Sequence, residues 1–170
     1  MQRRLFVSAA ACAGLVSVLG LSACGFALRQ APNFAFSTLF TGLPESSPLG
    51  AELKRALQAN GVRVITDGRE LDQAQVILDV IADQREKTVV GVNAAGQVRE
   101  FQLRLRFAFK LRTLQGKELI APTELLLQRE INFSESAVLA KEAEENLLYR
   151  DMQSDIVQQV VRRLAAVKAL

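Results

Sequence analysis

The sequence predicts a single α+β domain, in which a mostly antiparallel sheet is covered on one face by two helices. Three observations predict this fold class. Long segments alternate apolar and polar residues, as half-buried strands do. The last segment changes to an apolar repeat near every fourth residue, as an amphipathic helix does. A strand–helix–strand order at the start of the domain is typical of a parallel pair joined by a crossover.

The domain is predicted to begin with a strand, a helix and a short second strand. Residues 33–41 alternate aromatic and small residues, and a loop follows over residues 42–48. Pro48 suits the first turn of a helix, and Asn60-Gly61 suits its end. Residues 62–65 form the second strand. One face of this predicted helix, which precedes the second strand, carries Leu49, Leu53, Ala56 and Leu57.

Two long strands, residues 75–92 and 97–113, form a predicted hairpin around a short loop. A register centred on that loop pairs apolar with apolar residues and acidic with basic residues, so we expect it. The expected pairs are Leu78 with Leu111, Val80 with Phe109, Asp79 with Lys110, and Asp83 with Arg106.

A further strand and a long helix complete the domain. The strand covers residues 119–133, and Pro122 in it favours an edge or bulged position. The helix follows from about Ser134 to the end, with Ser134 or Ser136 as its expected cap and Glu135 in its first turn. Its expected buried face carries Leu139, Ala143, Leu147, Met152, Ile156, Val160 and Leu164.

The first 23 residues have the organisation of a bacterial secretory signal. Arg3 and Arg4 precede an apolar stretch rich in Ala, Ser and Gly, which is a poor transmembrane helix. The ending Leu21-Ser22-Ala23-Cys24 resembles the bacterial lipobox, in which the cysteine is acylated and the chain is cut before it. An ordinary cleavable signal is the alternative. We expect residues 1–23 to be removed and residues 24–170 to form a domain anchored through lipidated Cys24.

Composition excludes several classes of chemistry. The chain has no His, Cys12 would leave with the signal, and Cys24 would be acylated. The commonest metal ligand, the commonest general base and the thiol nucleophile are therefore all missing. We predict no enzyme, no metal and no cofactor, and a hydrolase is the disfavoured alternative. Without Arg3 and Arg4, 19 basic residues face 18 acidic ones, a balance that does not indicate nucleic-acid binding.

Two sets of basic residues are candidates for binding. Lys141 stands four residues before Glu145, so it could equally form an ordinary helix ion pair. The even-numbered positions of the strand 97–113 form either a solvated face with cross-strand ion pairs or a groove for an anion. Charge alone does not separate the two interpretations. The basic residues at these even-numbered positions are Arg104, Arg106, Lys110 and Arg112.

Several segments resemble the LptE family of lipopolysaccharide-assembly lipoproteins. The stretch Cys24-Gly25-Phe26-Ala27-Leu28-Arg29 is similar to the start of the family's mature chains. Residues 137–145, Asp151-Met152 and residues 158–164 are similar to its C-terminal helix. The intervening matches, in the same order, are Ser47-Pro48-Leu49, Asn60-Gly61-Val62 and Gly96-Gln97.

The resemblance implies a four-stranded sheet with two helices and a role without covalent catalysis. Members of this family plug the lumen of LptD, an outer-membrane β-barrel, help it assemble, and bind lipopolysaccharide during insertion into the outer leaflet. The implied partners are therefore LptD and lipopolysaccharide. The implied place is the outer membrane, lipid-anchored on the periplasmic side and inside the barrel lumen. Gly25 agrees with this, because Asp after the cysteine favours inner-membrane retention. An outer-membrane lipoprotein that docks an envelope enzyme or secretion channel is the alternative.

The resemblance assigns one residue to lipopolysaccharide binding and leaves a second position open. Lys141 matches the family's lysine at the start of the C-terminal helix. The family's second basic contact lies at the hairpin tip, where this chain has the uncharged residues 93–95. Arg99, Arg104 and Arg106 are the candidates to replace it.

Overall fold

The computed structural model describes residues 32–170, which form a five-stranded sheet with two helices packed on one face. The predicted signal and Cys24 lie outside these residues. Short 3-10 turns, Gly68–Gln73 and Glu135–Ala137, precede the third strand and the second helix. The elements are β1 Thr38–Thr41, α1 Pro48–Ala59, β2 Arg63–Ile65, β3 Val76–Val92, β4 Val98–Thr113, β5 Glu118–Asn132 and α2 Val138–Ala165.

The strand order is β2-β1-β3-β4-β5. β1 runs parallel to both β2 and β3, and the β3–β4 and β4–β5 pairs are antiparallel. The predicted α+β class and the β1–α1–β2 crossover are therefore confirmed. The sheet has five strands rather than the four that the resemblance implies, because the three-residue β2 also pairs beside β1.

α1 forms where the sequence predicts it. Ser47 caps it, since its Oγ accepts a hydrogen bond from the Gly50 N–H at 3.0 Å, and Pro48 occupies the first turn. Gly61, at a φ of 82°, follows the C-cap Asn60 in the left-handed conformation that glycine tolerates. The inward side chains Leu49, Leu53 and Leu57 are buried.

The hairpin register is correct only in the first part of β3. Leu78 lies opposite Leu111, Asp79 opposite Lys110 and Val80 opposite Phe109, as predicted. A β-bulge at Ile81 then adds one residue to β3 and shifts the pairing. Asp83 consequently lies opposite Phe107, so its predicted pairing with Arg106 is wrong.

The bulge also changes which β3 side chains face the helices. Before it, even-numbered residues share the helix side with the odd-numbered apolar residues of β4. After it, the odd-numbered residues do so, because directly opposed residues point to the same face of a sheet. Asp83, Arg85 and Lys87 therefore form a polar row beneath the helices. Asp83 accepts a hydrogen bond there from Ser47 Oγ at 2.9 Å.

The two halves of α2 pack differently. Its second half buries Met152, Ile156, Val160 and Leu164, as predicted. Its first half turns Leu139, Ala143 and Leu147 to solvent, with Leu139 82% and Leu147 54% exposed, so that part of the predicted face is wrong. The sheet beneath the first half is the polar row of β3, so polar side chains of α2 face inward there.

The remaining boundaries are partly as predicted. β5 is an edge strand, and its register shifts between Thr123 and Ile120, on either side of Pro122. Neither predicted serine caps α2: the Ser134 and Ser136 hydroxyls lie 2.9 Å apart, and the N-cap is Ala137, without a side-chain bond. The intervening 3-10 turn separates the serines from the first turn of α2.

The hydrophobic core lies between the helices and the sheet. It joins β1, α1, the start of β3, the odd-numbered residues of β4 and the second half of α2. Over residues 32–170, no helix combines the length and the apolar character needed to cross a bilayer. The largest fully buried side chains of the core include Leu39, Leu78, Leu105, Phe107, Phe109 and Leu111.

Candidate functional site

A small cleft of about 70 Å³ lies beneath the start of α2 and contains the predicted binding residue Lys141. Side chains from β3, β4, the end of β5 and the first two turns of α2 meet there. Both charged and aromatic groups line it. The lining comprises Lys87, Phe101, Ile131, Asn132, Phe133, Val138, Lys141, Glu142 and Glu145.

The floor of this cleft is aromatic. Phe101 on β4 and Phe133, just after β5, meet edge to face with ring centroids 5.5 Å apart. The Lys87 ammonium lies 4.3 Å from the Phe101 ring centroid, within the range of a cation–π interaction. Because the ring packs against the Lys87 stem and head, the cation is held at the cleft.

Lys141 has a different partner from the one that the helix spacing predicts. Its Nζ lies 2.8 Å from Glu144 Oε2, three residues along, whereas Glu145 bonds Lys87 Nζ at 2.6 Å. The predicted Lys141–Glu145 pair is therefore wrong, because Glu145 points inward to the polar row of β3. A partly exposed pair such as Lys141–Glu144 contributes about 1 kcal/mol or less, so an incoming anion can displace the carboxylate at small cost.

Lys87 is the site residue that sequence reasoning missed. An unbroken register would place it on the opposite face of the sheet, and the bulge at Ile81 brings it to the helix side. Residues 83–87 are all polar, so they carry no apolar alternation from which the change of face could be read.

Arg99 lies on β4 two residues before Phe101, in a stretch where the β3–β4 register shifts, and it is not one of the residues that line the cleft. Its backbone carbonyl accepts a hydrogen bond from the Phe133 N–H at 2.8 Å. Its guanidinium contacts Gln97 Oε1 at 3.5 Å, and no carboxylate of residues 32–170 lies within 4 Å of it. Arg99 thus has no ion-pair partner among the described residues, and its backbone adjoins Phe133 of the cleft.

Arg104 and Arg106 lie on the other face of the sheet, away from Lys141. Arg106 pairs with Glu124 at 2.7 Å, and this hydrogen-bonded carboxylate raises the pKa of Arg106. Arg104 Nε donates to Gln102 Oε1 at 2.7 Å. Asp79 similarly lies 2.7 Å from Arg112 and 3.8 Å from Lys110. This face has the cross-strand ion pairs of a solvated sheet surface.

The cleft combines cations with an apolar floor, which is the chemistry of anion recognition. No group of three potential metal-binding side chains gathers anywhere in the described part of the chain. Lys87 and Lys141 supply ammonium donors, Arg99 supplies a free guanidinium nearby, and Phe101 with Phe133 supplies apolar surface. That combination suits an amphiphile with an anionic head group.

Comparison with known proteins identifies similar chains. The family model described as "LptE: Lipopolysaccharide-assembly" matches residues 36–164. An LPS-assembly lipoprotein LptE of Pectobacterium atrosepticum is 25% identical over 170 residues, covering 98% of this chain and 88% of that protein. The Yersinia pestis protein of the same name is 28% identical over 157 residues, covering 91% of this chain and 74% of its own length.

A solved structure has the same fold. The solution structure of an uncharacterized lipoprotein B from Nitrosomonas europaea superposes with a TM-score of 0.70 at 33% identity. The match covers 84% of this chain and 91% of that one. The likeness therefore spans the whole described domain and not one motif.

Proposed function

This chain belongs to the LptE lipopolysaccharide-assembly family, and we propose that it occupies the lumen of the outer-membrane β-barrel LptD. There it helps the barrel assemble and binds lipopolysaccharide during insertion into the outer leaflet. The observation that carries this proposal is the family match over residues 36–164, which extends from before β1 almost to the end of α2. The relatives named for lipopolysaccharide assembly match over a longer span, 98% and 91% of this chain.

The proposed anchor is Cys24, acylated after removal of residues 1–23. Seven residues separate Cys24 from the described domain, which begins at Pro32. Even fully extended, such a link spans only about 25 Å. The domain would therefore stay close to the periplasmic surface of the outer membrane, where the mouth of a barrel is within reach.

The exposed side of α2 supports contact with a large partner. Leu139, Ala143 and Leu147 repeat at four-residue intervals and form an apolar stripe on the solvent side of its first half. Contact with a barrel wall would remove this surface from water, at a gain of about 25 cal/mol for each Å².

The proposed lipopolysaccharide site is the cleft around Lys141. A phosphate of lipid A would displace Glu144 from Lys141, while Lys87 adds positive charge in the cleft and Arg99 adds it nearby on β4. Within a barrel lumen, solvent would screen these interactions less than it does on an open surface. Arg104 and Arg106 belong to the opposite face, so they would serve a second contact rather than this cleft.

Co-expression tests the partner. The full chain, tagged at its C-terminus, is produced with the LptD barrel of the same bacterium, and the complex is purified from outer membranes in detergent. We expect a stable equimolar complex. An unrelated outer-membrane barrel of similar size is the control. Recovery of this chain without LptD, or equally with the control barrel, would contradict the proposal.

Substitution of Lys141 tests the ligand site. We expect Lys141→Glu to weaken lipopolysaccharide binding by the full chain in detergent about tenfold, because it replaces a charge-assisted donor with a repelling carboxylate. Lys117→Glu makes the same charge change at the turn before β5 and should bind normally. Thermal unfolding checks that both variants remain folded. Normal binding by Lys141→Glu would exclude the role assigned to Lys141.

Arg99 is tested by a double substitution. Adding Arg99→Glu to Lys141→Glu should weaken binding further, because Arg99 has no ion-pair partner among the described residues and its backbone adjoins Phe133 of the cleft. Binding is measured for the wild type, both single variants and the double variant. A double variant that binds like Lys141→Glu alone would show that Arg99 is not the second basic contact.

A further inference from the structure

A second basic feature lies between the two helices, separate from the Lys141 cleft. An open groove of about 590 Å³ runs between α1 and α2 over the helix side of β3. Each of the three elements contributes one arginine to it: Arg55 from α1, Arg85 from β3 and Arg150 from α2. Three arginines from distant parts of the chain therefore line one groove.

Arg85 is fixed in position at the centre of this groove. Its Nη2 donates to Gln153 Oε1 at 2.8 Å, and its guanidinium carbon lies 5.3 Å from the centroid of the buried Tyr149 ring. Gln153 is only 6% exposed. Its Nε2 donates to Glu52 Oε2 at 2.6 Å and to the Pro48 carbonyl at 3.3 Å, so its Oε1 is the atom that faces Arg85. Such a preorganised guanidinium loses little conformational freedom when it binds a ligand.

The charge of these three arginines is not neutralised. Within residues 32–170, no carboxylate lies within 4 Å of Arg55, Arg85 or Arg150. Residues 1–31 contain no Asp or Glu that could supply one. The two lysines of the neighbouring cleft differ from them, because Lys87 and Lys141 both have carboxylate partners. The groove therefore brings together three arginines that have no ion-pair partner in the described residues, and the nearby Glu52 carboxylate bonds Gln153 instead.

We propose that this groove binds a phosphate group through Arg55, Arg85 and Arg150. Guanidinium groups donate paired N–H bonds in a planar fork that matches phosphate oxygens, and three of them suit a group with more than one negative charge. The site goes beyond the proposed function at Lys141. Nine residues of helix separate Lys141 from Arg150, which is about 13 Å along α2. The phosphate belongs either to a lipid head group or to a soluble compound, and the two sources are separated experimentally.

The experiment uses the full chain in a nonionic detergent and two probes. Inorganic pyrophosphate is titrated by calorimetry to represent a soluble phosphate. Phosphatidylcholine vesicles with and without phosphatidic acid are tested by flotation to represent a lipid head group. Binding to pyrophosphate alone identifies a soluble ligand, and binding that requires phosphatidic acid identifies a lipid. Either result supports binding in the groove if the arginine variants lose that binding. Absence of binding to both probes overturns the proposal.

The decisive variants change one guanidinium at a time. Arg85→Gln is expected to weaken binding about tenfold, which is typical for loss of a charge-assisted hydrogen bond. Arg85→Lys keeps the charge without the fork and should bind at an intermediate level. Arg162→Gln removes the same charge at a position twelve residues after Arg150 on α2, and it should bind like the wild type. Equal binding by Arg85→Gln, Arg162→Gln and the wild type would overturn the proposal.

Two further variants distinguish the groove from the Lys141 cleft and from a packing defect. Arg55→Gln combined with Arg150→Gln changes only exposed side chains, so it tests the groove even if Arg85→Gln disturbs the packing of Gln153. The proposal requires that this double variant also weakens binding. Pyrophosphate binding that the arginine variants lose is assigned to the groove, and Lys117→Glu, which changes a charge outside both the groove and the Lys141 cleft, should leave that binding unchanged. If Lys141→Glu loses binding while the arginine variants keep it, the phosphate site would be the cleft instead.

Discussion

Tyr149 connects α2 to the polar row of β3. Its Oη donates a hydrogen bond to the Glu86 carbonyl at 2.7 Å, and its ring lies beneath the Arg85 guanidinium. Burial raises the pKa of Tyr149, and the nearby Glu145 carboxylate raises it further. A single side chain thus holds the first and second halves of α2 against the sheet where the surface changes from apolar to polar.

Tyr149→Phe tests this connection. The substitution should cost about 1 kcal/mol of stability at neutral pH, because it leaves the Glu86 carbonyl without this donor. The folded-state pKa of Tyr149 lies above its unfolded value of about 10, so the native state holds the proton more tightly. Wild-type stability should therefore fall as the pH rises through and above about 10, and the variant should lack this contribution.

Urea unfolding of both chains at neutral and alkaline pH measures the difference. Tyr149 is the chain's single tyrosine, and the chain has no tryptophan, so the ultraviolet absorbance of tyrosinate reports its titration directly. We expect the stability gap between wild type and Tyr149→Phe to narrow at alkaline pH. A gap that stays constant with pH would show that the Tyr149 proton is not held by the fold.

At the residue scale, the sequence predicts one part of the site and misses another. Lys141 could be identified from its resemblance to a family position, and the structure places it in a lined cleft. Lys87 could not be identified from the sequence, because the face on which it lies depends on the bulge at Ile81. A run of polar residues has no apolar alternation from which a bulge could be predicted. The ion pairs of Lys141 and Glu145 were likewise decided by tertiary contacts, which outweigh the small energy of a helix pair.

At the scale of elements, α2 shows how one sequence repeat has two outcomes. Leu139 and Met152 both belong to the apolar repeat, yet Leu139 is 82% exposed and Met152 is fully buried. The repeat predicts a helix over its full length, and that prediction is confirmed. It does not predict which turns meet an apolar surface, because that depends on the strand below.

Two substitutions on α2 make this difference measurable. Leu139→Asp should change the free energy of unfolding by about 0.5 kcal/mol or less, because the side chain is already in water. Met152→Ala should cost about 2–5 kcal/mol, because it leaves a cavity in the core. Urea unfolding of the domain with each change checks both values. Similar losses for the two variants would contradict the division of α2 into an exposed and a buried half.

The hairpin is the element that sequence reasoning describes best and also where it fails most clearly. The loop between β3 and β4 forms as predicted, and the pairs from Leu78–Leu111 to Val80–Phe109 are correct because buried apolar alternation fixes them. Beyond Val80 the alternation stops, and the prediction of an Asp83–Arg106 pair fails with it.

At the scale of the whole molecule, stability is concentrated at one end of the sheet. The core includes the start of β3 and the end of β4, together with β1 and both helices. Towards the hairpin tip, β3 is exposed on both faces, with Val89 45%, Val90 48% and Val92 60% exposed. The Lys141 cleft and the arginine groove, both proposed as binding sites, lie between these two ends, where the core gives way to polar contacts.

Amide hydrogen exchange should follow this gradient. Residues 88–98 should exchange by local opening, much faster than residues 103–113 of the same hairpin, because few buried contacts hold them. Mass spectrometry of the exchanged domain, with peptides that cover both ends of β4, measures the two rates. Equal protection along β4 would mean that the hairpin unfolds as one unit with the core.

The bulge at Ile81 divides β3 into two stretches under different selective constraints. Before it, alternate positions must stay apolar, since a polar residue there would enter the core. After it, residues 83, 85 and 87 face the helices without joining the core, so their charges can change while the fold persists. Substitutions at these three positions can therefore alter the charge that the proposed anion sites present, without placing a polar group in the core, because the bulge moves this stretch of β3 out of the apolar alternation.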